Sequence, residues 1–207
     1  SLLPKEGKGN VSKLALLTKF HDDYKHRNTY LYTNGSKTKR ATTYAAIGPD
    51  FKIQRKLHRY SSIITAELYA VRESLNRCEC SPNTIVICSD SKSGIASLKE
   101  YSSRNALVTD IQWIMTKLQK EKKIVLKWVP SHVGIRLNEE VDKAVKQANE
   151  TVQAPTGMIF QDIIKAMKTN IRKSMTLAWP SLQNYNLQLP FLICYGVWIP
   201  PLTKNPD

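Results

Sequence analysis

The spacing of apolar residues changes along residues 28–150, and this change restricts the fold more than any other feature of the sequence. Residues 29–33 and 42–47 are rich in β-branched and aromatic side chains, and residues 51–57 alternate between apolar and polar after a Gly-Pro-Asp turn. These segments predict three antiparallel strands joined as a meander. From Ile63 the apolar residues recur at steps of three and four, which indicates that a helix follows the meander.

The predicted elements after the meander alternate between helix and strand. The apolar stripe of the first helix contains Ile64, Leu68, Val71 and Leu75. Residues 84–88 form a continuous apolar run, as in a central strand that is covered on both faces. The pattern is completed by predicted helices over 93–101 and 107–118, a strand over 123–129 and a helix over 138–150. This order predicts an α/β fold in which helices flank a mixed five-stranded sheet, with an antiparallel meander and two parallel strands.

Two segments lie outside this pattern, so we expect three regions: an N-terminal arm over 1–27, a domain over 28–150 and a C-terminal extension over 151–207. The arm mixes Gly, Lys and Asp with one short apolar run. After Pro155 the extension contains a predicted basic amphipathic helix that includes residues 162–179, and the apolar face of this piece is formed by Phe160, Ile163, Met167, Ile171 and Met175. Either this face docks on the domain or the basic face contacts phosphate groups, and the sequence leaves both interpretations open.

The chain is strongly basic, with 31 Lys and Arg residues against 17 Asp and Glu residues and a net charge of +14. This charge favours a polyanionic partner, either nucleic acid or an anionic membrane, although a generally basic surface would give the same balance. We expect no membrane span, because three prolines interrupt the most apolar tract, residues 187–202, which is also too short to span. Of the two polyanionic partners we expect nucleic acid and not a membrane.

The cysteines and the absence of a signal segment indicate a reducing compartment. Cys78, Cys80, Cys88 and Cys194 lack the spacing of a zinc site, so we expect reduced thiols with mostly structural roles. No apolar signal segment precedes the three N-x-S/T sequons, and we therefore expect an intracellular protein, in the cytoplasm or the nucleus.

Short strings of polar residues lie at the ends of predicted strands and on predicted helices. They read Tyr-Thr-Asn-Gly-Ser at 32–36, Thr-Ala-Glu-Leu at 65–68, Ser-Asp-Ser at 89–91, Pro-Ser-His at 130–132 and Asn-Glu-Glu-Val-Asp at 138–142. In this order they resemble the ribonuclease H (RNase H) family, including the domains of reverse-transcribing elements, over residues 28–150. The resemblance implies an RNase H-like fold and an endoribonuclease that cuts the RNA strand of RNA/DNA hybrids with two Mg²⁺ ions, which Mn²⁺ can replace. It implies no small-molecule cofactor.

The resemblance also implies roles for single residues. Position 34, Glu67, Asp90 and Asp142 would hold the metal ions, and His132 would accept or relay a proton. Carboxylates suit this task because Mg²⁺ prefers oxygen ligands, and two ions about 3.5–4 Å apart can activate water and stabilise the leaving oxygen. Each residue also has an ordinary interpretation: Asp90 as a helix cap, Asp142 as a solvated helix residue and His132 as a surface side chain. Glu67 is the exception, since an unpartnered carboxylate beside an apolar stripe is costly to bury.

Asn34 departs from the family, which has Asp at this position. A neutral amide replaces one negative ligand of a site for two cations, so we expect weaker metal binding and impaired turnover with little change in shape. An engineered change and a natural degeneration both fit. The alternative function is a nucleic-acid-binding module that binds the hybrid or duplex RNA without cutting it. A third is a basic scaffold domain for protein or membrane contacts.

Candidate substrate contacts flank these positions. By resemblance, the backbone at Gly35 and Ser36 would meet the 2′-hydroxyl groups of the RNA strand. The other candidates for substrate binding are Ser62, Ser91, Lys92 and Asn138. The first three flank catalytic positions and could equally be helix-cap or turn residues. Some relatives carry a basic handle where this chain has only residues 101–106, so the arm, residues 117–123 or the extension would supply the extra charge.

The extension resembles the segment that follows the RNase H domain at the end of non-LTR retrotransposon polyproteins. The implied partners are an RNA/DNA hybrid and a reverse transcriptase domain upstream in the same polyprotein.

Overall fold

The computed structural model describes residues 28–78, 84–131, 134–151 and 157–183, with side chains to residue 177. The predicted arm, Cys80, His132, Cys194 and residues 184–207 lie outside these ranges. The described residues divide into two compact units, with the boundary between Ala166 and Met167. No helix in the described part of the chain is long and apolar enough to cross a membrane.

The described residues contain a five-stranded sheet and five α-helices. The strands are β1 (Asn28–Lys37), β2 (Thr42–Ile47), β3 (Lys52–Leu57), β4 (Thr84–Ser89) and β5 (Lys123–Trp128). The helices are α1 (Ile63–Asn76), α2 (Lys92–Leu98), α3 (Ala106–Leu118), α4 (Arg136–Gln147) and α5 (Phe160–Gln183). A 3₁₀ turn, Ala148–Glu150, follows α4.

The strands lie in the order β3-β2-β1-β4-β5. β1 pairs antiparallel with β2, and β2 with β3, whereas β4 lies parallel to both β1 and β5. The predicted mixed five-stranded sheet flanked by helices is therefore confirmed. β1 lies at its centre, where the antiparallel and parallel halves meet.

Alternate side chains of β1 enter two separate hydrophobic clusters, one on each face of the sheet. Leu31 packs in one cluster with residues of α1, α2 and α3, and Tyr32 packs in the other with Val141 and Val145 of α4. Both Leu31 and Tyr32 are fully buried. Burial on both faces explains why the central strands lack a clear apolar and polar alternation.

The first turn of α1 differs from the predicted stripe. Leu68, Val71 and Leu75 are buried as expected, but Ile64 is 38% exposed and Thr65 is buried instead. The prediction was wrong at Ile64 because a polar contact of Thr65, described below, occupies the inward side of this turn.

Some helix bounds also differ. α2 ends at Leu98, three residues before its predicted end, and α4 begins at Arg136, two residues before its predicted start. The predicted helix over 162–179 lies within α5. In its first turn, Phe160 and Ile163 are exposed while Asp162 is buried, so the apolar stripe does not make the docking contact there.

Candidate active site

Two parallel strands position the first candidate residues where the pairing of the strands ends. Asn34 lies within β1, which continues to Lys37, beyond the predicted end at Thr33. Thr33 of β1 is paired with Ser89 of β4, and Asn34 and Asp90 are the next residues along the two chains. Parallel strands bring their carboxyl ends to the same edge of a sheet, so Asn34 and Asp90 lie at one edge.

Glu67 approaches this edge from α1. Its side chain is buried, with 5% exposed, and its carboxylate accepts a hydrogen bond from the backbone N–H of Gly35. Its Oε2 atom has no hydrogen-bond partner. The approach requires glycine in β1, because a Cβ atom on Gly35 would lie 2.8 Å from the backbone nitrogen of Glu67 and 3.0 Å from Cβ of Ala66.

The surroundings of Glu67 disfavour its charged form. Burial raises the pKa of Glu67 to about 8, and the negative charges of Asp90 and Asp142 also raise it, while the hydrogen bond from Gly35 acts in the opposite direction. A bound proton would neutralise the carboxylate of Glu67, and a bound cation would compensate its charge. The pKa also indicates that Asp90 and Asp142 lie near enough to interact electrostatically with Glu67.

Asn34 and Asp142 are in direct contact. Asn34 is 8% exposed, and its Nδ2 atom donates a hydrogen bond to Oδ1 of Asp142 on α4. An amide carries two hydrogens, whereas an ionised carboxylate is only an acceptor. The pair therefore attracts, where two carboxylates would repel each other.

Asp90 is held by two residues that the sequence analysis did not single out. Ser131 Oγ donates a 2.5 Å hydrogen bond to the Asp90 carboxylate, and Trp128 Nε1 donates a 3.0 Å hydrogen bond to the Asp90 backbone carbonyl. The Nζ atom of Lys92 lies 4.4 Å from the centroid of the Trp128 ring, a cation–π contact. The sequence around Asp90 gives no signal for either contact, because Trp128 and Ser131 are 38 and 41 residues away from it.

The predicted substrate contacts differ in burial and in local structural role. Ser62 caps α1 by accepting from the N–H of Thr65, and Ser91 caps α2 by accepting from the N–H of Gly94, each at 3.1 Å. Lys92 is exposed, Gly35 is buried and Ser36 is partly buried, whereas Asn138 is buried with 3% exposed. His132 is outside the described residues.

The donor atoms suit a hard cation, but they are not gathered as a finished metal site. Glu67 offers a buried oxygen without a partner, in a field made more negative by Asp90 and Asp142. Among the described residues, no three Asp, Glu, His or Cys side chains converge closely enough to hold an ion. Asn34 adds no charge to this group, and its amide contacts Asp142.

The fold and the carboxylates at this sheet edge define an α/β domain of the RNase H-like type. Residues 26–150 match the RNase H family, and the chain belongs to that family. It is also 30% identical over 117 residues to the Pol polyprotein of caprine arthritis encephalitis virus (strain Cork), an alignment that covers 56% of this chain and 10% of that protein. The chain thus spans a small part of the length of this curated relative.

Proposed function

We propose that the RNase H domain hydrolyses the RNA strand of RNA/DNA hybrids with two Mg²⁺ ions, or Mn²⁺ in their place, and that Asn34 impairs this activity in the present sequence. The observation that carries the proposal is the buried carboxylate of Glu67, which has an oxygen without a partner and two further carboxylates in its electrostatic surroundings. Family membership supports a nuclease of this class.

Glu67, Asp90 and Asp142, together with position 34, would hold the ions, and His132 would accept or relay a proton. When bound, such ions activate the attacking water and stabilise the leaving oxygen. The chain's own residues orient the ligands. The N–H of Gly35 holds the carboxylate of Glu67, and the hydroxyl of Ser131 holds that of Asp90.

Asn34 would lower metal affinity in two ways. It contributes no negative charge, and its amide occupies an oxygen of Asp142 that would otherwise face a cation. An Asp at position 34 would restore the charge and free that oxygen.

The alternative is a binding module that holds the hybrid without cutting it. The hydrogen bond between Asn34 and Asp142 favours this alternative, because it pairs the two side chains in the absence of a cation. A third possibility, a basic scaffold domain, requires that the chain bind no nucleic acid in a gel-shift assay.

Cleavage by the Asn34→Asp variant separates these functions. The parent chain and the variant are compared on RNA/DNA hybrid, duplex DNA and duplex RNA, with Mg²⁺ and then Mn²⁺. We expect the variant to cut only the RNA strand of the hybrid, at a rate far above the parent. A variant that binds hybrid but leaves it intact would reject the nuclease in favour of the binding module.

The remaining expectations complete the proposal. The backbone at Gly35 and Ser36 would contact 2′-hydroxyl groups, and side chains near the site would contact phosphate or sugar, namely Ser62, Ser91, Lys92 and Asn138. From the sequence we also propose three regions, with bounds 1–27, 28–150 and 151–207. We further propose an intracellular location, an upstream reverse transcriptase domain and a retrotransposon origin.

A further inference from the structure

Asp162, in the first turn of α5, is buried beside the N-terminus of α1. Only 2% of Asp162 is exposed, and its Oδ2 atom accepts a 2.8 Å hydrogen bond from the hydroxyl of Thr65, which is itself 2% exposed. A carboxylate this deeply buried is costly unless it is hydrogen-bonded or paired with a charge. Its position therefore depends on the partners that surround it.

Each hydroxyl group has one proton to donate, and this fixes the direction of the hydrogen bonds around Thr65. The single hydroxyl proton of Thr65 is directed to Asp162, so the 2.8 Å contact between the hydroxyl groups of Ser62 and Thr65 has Ser62 as its donor. Ser62 Oγ in turn accepts from the backbone N–H of Thr65 at 3.1 Å. Asp162 thus terminates a chain of hydrogen bonds that includes the N-cap of α1.

The negative charge of Asp162 also acts on Lys37, at the end of β1. Burial lowers the pKa of Lys37, and the charge of Asp162 opposes this effect. The Nζ atom of Lys37 donates to the backbone carbonyls of Arg59 and Ser61, in the segment that leads into α1. Asp162 therefore lies where the end of β1 meets the start of α1, and these two elements carry Asn34 and Glu67.

Neighbouring residues attach the same turn to a different part of the domain. Gln161 Nε2 donates a 2.7 Å hydrogen bond to the backbone carbonyl of Arg104, before α3, and Ile159 packs against the hydrophobic cluster that contains Leu31. Asp162 hydrogen-bonds to the helix carrying Glu67 through Thr65. It lies beyond residues 26–150, the part of the chain that matches the family.

We propose that Asp162 is a positioning residue for the candidate active site, which fixes the first turn of α1 and, through it, the carboxylate of Glu67. This inference rests on the proposed function, because Glu67 is taken there as a metal ligand. Thr65 and Glu67 are two residues apart on α1, and Glu67 has little freedom against Gly35. A small shift of this turn would therefore move the carboxylate relative to Asp90 and Asp142.

Titration of the full chain with Mn²⁺ alone, followed by the electron paramagnetic resonance signal of free Mn²⁺, tests the proposal in the Asn34→Asp background. Thr65→Val and Asp162→Ala each remove the hydrogen bond, and Thr65→Ser retains it. Gln161→Ala is the matched control, because the hydrogen bond that it removes from the same turn goes to the carbonyl of Arg104 and not to α1. Urea unfolding without metal measures the stability of every variant.

We expect Asp162→Ala and Thr65→Val each to weaken Mn²⁺ binding several-fold, less than the roughly 10- to 100-fold typical when a direct partner of a ligand is removed. The double variant should bind no more weakly than the single variants, while Thr65→Ser and Gln161→Ala should bind as the background does. If Asp162→Ala does not fold, Thr65→Val decides, because it removes the same bond with almost no change in volume.

Two results would overturn the inference alone: background affinity in Asp162→Ala or Thr65→Val, or an equal loss of affinity in Gln161→Ala. A background protein that binds no Mn²⁺ and cuts no hybrid would instead reject the proposed function, and the positioning role of Asp162 with it.

Discussion

Asn34 donates its side-chain hydrogen bond to a carboxylate 108 residues away in the sequence, that of Asp142. The two residues lie on β1 and α4, at the edge of the sheet that Glu67 and Asp90 also approach. An amide N–H therefore faces an oxygen of Asp142, which in the proposed function would face a cation.

Replacing this amide should make stability depend on metal. In EDTA, the Asn34→Asp variant is expected to be less stable than the parent by about 1–3 kcal/mol, because a hydrogen bond is replaced by repulsion between two carboxylates. Mg²⁺ should recover this loss in the variant and should have little effect on the parent. Urea unfolding with and without Mg²⁺ measures both effects, and equal stabilisation of the two proteins would contradict the prediction.

Glu67 should make the metal-free parent less stable as the pH rises. Its folded-state pKa of about 8 is above its ordinary value of 4.5, so the folded state binds the proton more tightly than the unfolded state. The contribution is complete below the unfolded pKa and is lost as the pH rises through about 8. The total is on the order of a few kcal/mol, since one pKa unit corresponds to about 1.4 kcal/mol.

Denaturant unfolding in EDTA between about pH 5 and pH 9 tests this dependence, because this window covers most of the pKa shift of Glu67. Glu67→Gln is the control, since a neutral side chain of similar shape should flatten the curve and be more stable than the parent at the alkaline end. Parallel curves for the two proteins would show that Glu67 is not the titrating group.

Gly35→Ala should destabilise the domain by about 1–3 kcal/mol, the usual cost of forcing an extra methyl group into a packed interior. The added Cβ would lie 2.8 Å from the backbone nitrogen of Glu67, so β1 and α1 would have to separate. Gly157→Ala is the matched control, because a Cβ atom there has no neighbour within 4 Å. Similar unfolding midpoints for the two variants would refute the tight approach at Gly35.

Lys92 and Trp128 should contribute to hybrid binding as a pair. Loss of one phosphate contact lowers the slope of log affinity against log salt by roughly one unit, which we expect for Lys92→Gln. Trp128→Leu should weaken hybrid binding several-fold, because it removes both the aromatic face under Lys92 and the hydrogen bond to Asp90.

The control for Trp128 is Trp113→Leu. Trp113 is also exposed, and Nζ of Lys117 lies 4.5 Å from its ring centroid. This pair is on α3, which carries none of the candidate catalytic, metal-binding or substrate-contact residues named above. Fluorescence anisotropy with a labelled hybrid measures affinity at several salt concentrations. An equal loss in the Trp113 and Trp128 variants would indicate a general charge effect instead of a site-specific contact.

The sheet could be predicted from local patterns because each strand is marked by its own residues. β2 was predicted with its observed bounds, and the apolar run of β4 indicated a strand that is buried on both faces. The stripe of α1 failed at Ile64, since periodicity measures which residues are apolar and cannot reveal that Asp162 occupies the inward side of that turn.

The candidate site was predicted only as a set of residues, by resemblance. Their roles remain predictions, and that of His132 lies outside the described residues. The hydrogen bond from Asn34 to Asp142 and the support of Asp90 by Trp128 and Ser131 had no local signal, because each joins residues far apart in sequence. Asp162 was equally hidden, since a single acidic residue in a basic helix resembles an ordinary surface side chain.

The buried contact between Thr65 and Asp162 bears on how the domain is dissected in the laboratory. A fragment that ends at residue 150 would follow the limit of the family match. It would lack Asp162, the hydrogen-bond acceptor of Thr65, and would expose the surface on which Ile159 packs. Recombinant versions meant for crystallisation or screening should therefore keep the opening turns of α5.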